Sequence, residues 1–104
     1  MGNYLVNWTN GSSQENFLVM ANSFSSAADI VWVKKSFEGS IQSLYATNLS
    51  IDKEMGRNVY YVVMGDGSKF FITSETWLDA KGWVYETLGS DVDTIMSLDR
   101  VYVY

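Results

Sequence analysis

The chain has 104 residues, 47% hydrophobic and 15% aromatic, with no Cys, His or Pro. That length is one domain, residues 1–104, and the composition is too apolar for a disordered tail. The missing Cys and His exclude disulfides, thiolate or imidazole metal sites and Cys–His or Ser–His catalysis; seven basic against twelve acidic residues leave a net charge of −5.

The opening Met1-Gly2-Asn3-Tyr4-Leu5-Val6 lacks the basic and apolar regions of a secretory leader. No apolar run approaches eighteen residues, so a soluble intracellular protein without a membrane partner is expected. Residues 4–9 read as a strand, rich in aromatic and β-branched side chains. Asn10-Gly11-Ser12-Ser13 is turn chemistry, and residues 15–21 return as a second strand. Ser26, three residues before Asp29, resembles an N-cap, and Ala27, Ile30, Val31 and Phe37 then share a helical face. Gly39 is the expected stop, with Lys34-Lys35 complementing the dipole at the helix end. Residues 40–49 form the third strand.

Residues 52–57 read as a polar connector. Beyond them, residues 59–64 and 69–73 flank Gly65-Asp66-Gly67-Ser68, a hairpin signal. Thr76 with Asp79 repeats the helix-start pattern; Trp77, Ala80, Val84 and Leu88 share a face, and Gly89 is the expected stop. Residues 94–104 close the chain as a strand. The run Val59-Tyr60-Tyr61-Val62-Val63-Met64 does not alternate, so both of its faces need cover.

The same order of elements is therefore read twice. Ser23, Trp32 and Val33 match Ser74, Trp83 and Val84 at a constant offset of 51. The expected architecture is α+β: two ββαβ pseudo-repeats, about residues 3–50 and 58–104, sharing one core. The sheet is mainly antiparallel, with two helices packed on one face. Half of the chain alone offers too little core to stand without staples.

Charge is unevenly placed. Between Glu75 and Asp99 stand six acids and one base, Lys81, so the whole net charge lies on the second helix and the loop after it. Such a face steers basic partners and repels nucleic acid. The expected partner-binding residues are Glu75, Asp79, Glu86, Asp91 and Asp93, with Trp83, Tyr102 and Tyr104 as aromatic anchors. Asp91 and Asp93 lack the ligand spacing and turn glycine of a calcium loop, so no metal and no cofactor is expected. The glycine-rich turn at 65–68 runs into a strand rather than a helix, which is wrong for a phosphate cradle. No spacing marks a carboxylate pair for hydrolysis, and the chain is not expected to be an enzyme.

The hairpin, Ser-led helix and strand of each half resemble small accessory proteins of bacteria and their phages. That resemblance rests on architecture. It implies an inhibitor or modulator that sits in the host cytoplasm and sticks to a basic nucleic-acid-handling host protein, such as a restriction or CRISPR nuclease, without touching nucleic acid itself. The second reading is an assembly protein that forms a homodimer through an apolar sheet face.

Overall fold

Alternation and turn chemistry become strands and hairpins in the computed structural model, which describes residues 1–48, 50–88 and 95–104. The fold is α+β; the described residues form seven strands in mixed pairing and two helices. The order ββαβ occurs twice, with one further strand between. The chain divides into two compact units, Met1–Leu49 with Val101–Tyr104, and Ser50–Arg100.

In the first unit, β1 (Gly2–Asn10) and β2 (Ser13–Ala21) form an antiparallel hairpin that closes with Asn10 opposite Ser13. Gly11, at φ 64°, supplies the left-handed residue of that turn. β3 (Ser40–Thr47) runs antiparallel to β1, with a bulge at Asn7/Trp8. The end of β7 (Ile95–Val103) lies parallel to β2, with Val101 opposite Asn16. Helix α1 (Phe24–Lys34) packs on β1, β2 and β3. Tyr4, Val6 and Trp8 from β1 and Phe17, Val19 and Ala21 from β2 point at Ala27 and Val31 of the helix. This cluster supplies the main stabilisation of the unit, since apolar burial is worth about 25 cal/mol per Å².

Both ends of α1 depart from expectation. The N-cap is Ser23, not Ser26: its hydroxyl accepts the Ser26 N–H at 3.1 Å and its carbonyl accepts the Ala27 N–H at 3.0 Å. Three serines crowd the start, and the one that leaves Ala27 and Val31 facing the sheet is used. At the other end the helix stops well before Gly39. The Ser36 N–H donates to the Val33 carbonyl and the Phe37 N–H to the Trp32 carbonyl, at 3.1 and 3.0 Å. This is a Schellman cap with serine in the left-handed position usually held by glycine. Ser36 and Phe37 have φ of 54° and 59°. Phe37 consequently stacks on Trp32, ring centroids 5.8 Å apart, and stays exposed rather than joining the core face. Gly39 serves a different purpose. At φ 116° it passes against Trp8 and the Thr9 carbonyl, where a Cβ would overlap both.

In the second unit, β5 (Asn58–Met64) and β6 (Lys69–Ser74) form the antiparallel hairpin expected around Gly65–Ser68. The Asp66 carboxylate accepts the Ser68 N–H at 2.9 Å, and Gly67 takes φ 92°. β4 (Ile51–Glu54) pairs parallel to β6, so part of the expected connector is a strand. Its exposed Asp52, Lys53 and Glu54 hide that pairing from a hydrophobic pattern. Helix α2 (Trp77–Leu88) follows, and the first part of β7 neighbours β5. Tyr60, Val62, Met64, Ile72, Ala80, Val84 and Leu98 form the buried cluster. Tyr60, Val62 and Met64 are buried, whereas Val59, Tyr61 and Val63 are half-buried. The apolar strand thus does carry a partly covered second face. Among the described residues, buried side chains gather into two clusters, one in each unit.

Candidate functional site

Helix α2 begins where Thr76 caps it: the Thr76 hydroxyl accepts the Asp79 N–H at 3.1 Å. The helical repeat then sorts its surface into rows, because residues three and four apart share a side. Trp77, Lys81 and Tyr85 form one row. The Lys81 ammonium lies over both rings, 5.0 Å from Trp77 and 5.4 Å from Tyr85. The Trp77 indole N–H donates to the Leu98 carbonyl at 2.8 Å, which fixes that row to β7. Asp79, Trp83 and Glu86 form a second row, on a different side of the helix beyond Leu78 and Gly82.

That second row lines a groove of about 390 Å³ together with Met55, Leu78 and Gly82. Trp83 is half-buried and meets Phe70 edge-on, centroids 6.4 Å apart. Its inner edge belongs to the core and its outer edge to the groove. Asp79 and Glu86 are both exposed. Gly82 leaves open space above the helix, with no atom near the position of a missing Cβ. Leu78 is 72% exposed, a large apolar side chain left in water. The groove therefore has an aromatic and aliphatic floor with a carboxylate toward each end. Lys81, the one base of the acidic window, does not line the groove: it lies over Trp77 and Tyr85 on a different side of the helix.

The other expected site residues go elsewhere. Glu75 precedes the helix; its carboxylate is 3.5 Å from the Arg57 guanidinium and its carbonyl accepts the Asn58 amide at 2.9 Å. It belongs to an exposed ion pair and does not line the groove. Tyr102 and Tyr104 belong to the first unit. Tyr104 stacks on Phe17 at 4.6 Å, its N–H donates to the Leu18 carbonyl, and the Lys34 ammonium lies 5.6 Å from its ring. Partial burial pushes the Tyr104 hydroxyl above its ordinary value of 10.0, against the pull of Lys35. Tyr102 is tilted on Phe17 at 6.0 Å. Parallel pairing of β7 with β2 thus makes both tyrosines packing residues that keep a wet edge. Asp91 and Asp93 lie outside the described residues.

Met55 and Leu78 were not expected at the site. Leu78 had a legible signal, a leucine on the outward side of a helix whose core positions were already assigned. Met55 had none, since its place follows from β4, itself hidden. Among the described residues no group of three or more Asp, Glu, His or Cys could hold a metal ion. Among them, too, no helix is long and apolar enough to cross a membrane.

Comparison with protein-family models, with curated proteins and with solved structures finds no match for this chain.

Proposed function

We propose that the protein is a small acidic binding module whose α2 groove receives a basic segment of a partner protein. The observation that carries this reading is the row Asp79, Trp83, Glu86 lining one groove while Lys81 is held over Trp77 and Tyr85. Carboxylates that flank an aromatic floor attract a cation from a distance and then bury its aliphatic stem. The partner class that fits is a nucleic-acid-handling host protein with an exposed basic surface, such as a restriction or CRISPR nuclease. Binding would block or modulate that surface, with no catalytic step and no cofactor. Asp91 and Asp93 add their charge to the same acidic stretch of sequence, and Glu75 adds less because Arg57 partly neutralises it. Matched Trp32 and Trp83 also support reading the doubled ββαβ order as a pseudo-repeat.

The test is capture from bacterial lysate by tagged wild-type protein and by the Asp79→Asn/Glu86→Gln variant. Basic proteins should be retained by the wild type at low salt, released as salt rises, and lost from the variant. Equal capture by both proteins, or retention indifferent to salt, would overturn the reading. Homodimerisation through exposed sheet residues is the second reading; Val103, 62% exposed at the end of β7, favours it. A concentration-independent monomer mass would remove it.

A further inference from the structure

The first unit carries a groove of its own, outside every residue assigned above to partner binding. It has a volume of about 560 Å³ and is lined by Asp29, Trp32, Val33 and Phe37. Asp29, Trp32 and Val33 are neighbours on α1 by helical spacing. Phe37 is brought over them by the Schellman cap. Trp32 meets Trp8 edge-on at 4.7 Å, so a ladder of rings runs from the buried Trp8 through Trp32 to the exposed Phe37. Trp8 is anchored in turn, its indole N–H donating to the Glu38 carbonyl at 3.0 Å. The aromatic wall is held by the core, not by the surface.

The charge of this groove is unbalanced. Among the described residues no hydrogen bond or ion pair engages the Asp29 carboxylate. The two lysines at the end of the same helix are occupied within the unit. Lys35 bonds to Glu15 and lies 5.6 Å from the Phe17 ring, and Lys34 sits over Tyr104. An apolar occupant would strip water from Asp29 without compensation, and an anion would be repelled. A cation with an aliphatic stem satisfies both the carboxylate and the rings. A planar guanidinium does this better than an ammonium, since it stacks on aromatic faces and offers paired donors to a carboxylate.

We propose that this groove is a binding pocket for an arginine side chain presented by a basic peptide. The guanidinium lies against the Trp32–Phe37 wall with its donors on Asp29, and the methylene stem runs along Val33. The pocket is independent of the α2 groove, and it stands or falls on different residues.

The probe is N-acetyl-arginine amide, with N-acetyl-citrulline amide as the uncharged counterpart of the same shape. Each is titrated into the full chain while amide and indole N–H resonances are followed by NMR. Arginine should move the Trp32 indole and the Asp29 and Val33 amides, with citrulline binding about fivefold more weakly. Asp29→Asn should weaken arginine binding about threefold. Phe37→Leu, which keeps an apolar contact on Trp32 but removes the ring, should weaken it by a similar factor, about threefold. Equal response to arginine and citrulline, an unaltered affinity in Asp29→Asn, or movement at Trp83 without movement at Trp32 would each overturn the proposal. The last outcome would leave the α2 reading standing, so the two fail separately.

Discussion

Ser36 and Gly39 offer a paired test, because the left-handed cap uses a serine while a glycine stands three residues on. In Ser36→Gly the Cβ penalty of a left-handed residue, roughly 1–2 kcal/mol, is relieved. Against it stands the larger unfolded-state entropy of glycine, about 0.4–1 kcal/mol. The net is a stabilisation of about 0.7 kcal/mol, or about 3 °C in Tm at about 5 °C per kcal/mol for a chain of this size. Gly39→Ala should act in the opposite sense. Its φ of 116° lies outside the region alanine adopts, and the added Cβ would overlap the Thr9 carbonyl and the Trp8 ring. Backbone strain of about 1–3 kcal/mol and forced displacement of similar size, less the about 0.4–1 kcal/mol alanine gains through the unfolded chain, give a loss of about 3 kcal/mol, or about 15 °C. Thermal unfolding followed by circular dichroism and by tryptophan fluorescence reads both. A destabilised Ser36→Gly or an unchanged Gly39→Ala would refute the assignment of the cap and of the close approach.

Further expectations concern the core and the pH response. Val31→Ala removes two methyl groups from a fully buried position between α1 and the sheet. It should cost about 2 kcal/mol, read as a lower urea midpoint with an unchanged slope. In the first unit the Glu15 hydrogen bond raises Lys35 above its ordinary 10.5, and burial raises Tyr104 above 10.0. Both groups hold protons more tightly folded than unfolded. Their stabilisation is therefore whole below about pH 10 and falls as pH climbs through the folded values. Tm measured from pH 9 to pH 11.5 should decline, and Lys35→Met should flatten part of that decline. In the second unit the Ser68 N–H bond lowers Asp66 below its ordinary 3.8. Its stabilisation is present above that value and is lost as pH falls through the folded value, which Asp66→Ala would abolish.

Local chemistry made the hairpins legible. Gly11-Ser12 and Gly65-Asp66-Gly67 announce tight turns, and both hairpins form there. The core faces of the helices followed from period in part: Ala27, Val31, Ala80 and Val84 are buried, whereas Phe37 and Trp77, expected on the same faces, are exposed. What was not legible required knowledge of distant partners. β4 is polar on its exposed side and exists because β6 supplies a parallel neighbour. Gly39 looked like a helix stop because glycine is the usual left-handed cap, yet its place is set by Trp8, about thirty residues earlier in the chain. At the site, Asp79, Trp83 and Glu86 were readable together as one helical row. Tyr102 and Tyr104 were readable as exposed aromatics, but their stacking on Phe17 depends on strand pairing across most of the chain. Glu75 carried the right charge, and only the fold shows Arg57 beside it.

The docking role of the α2 groove is read in the association rate of a captured basic partner with wild-type protein, set against the Asp79→Asn/Glu86→Gln variant. Measured at low and at high salt, the variant should associate about tenfold more slowly at low salt. The difference should shrink as salt screens the field. Equal rates for the two proteins at low salt would contradict the α2 groove as the acidic docking surface.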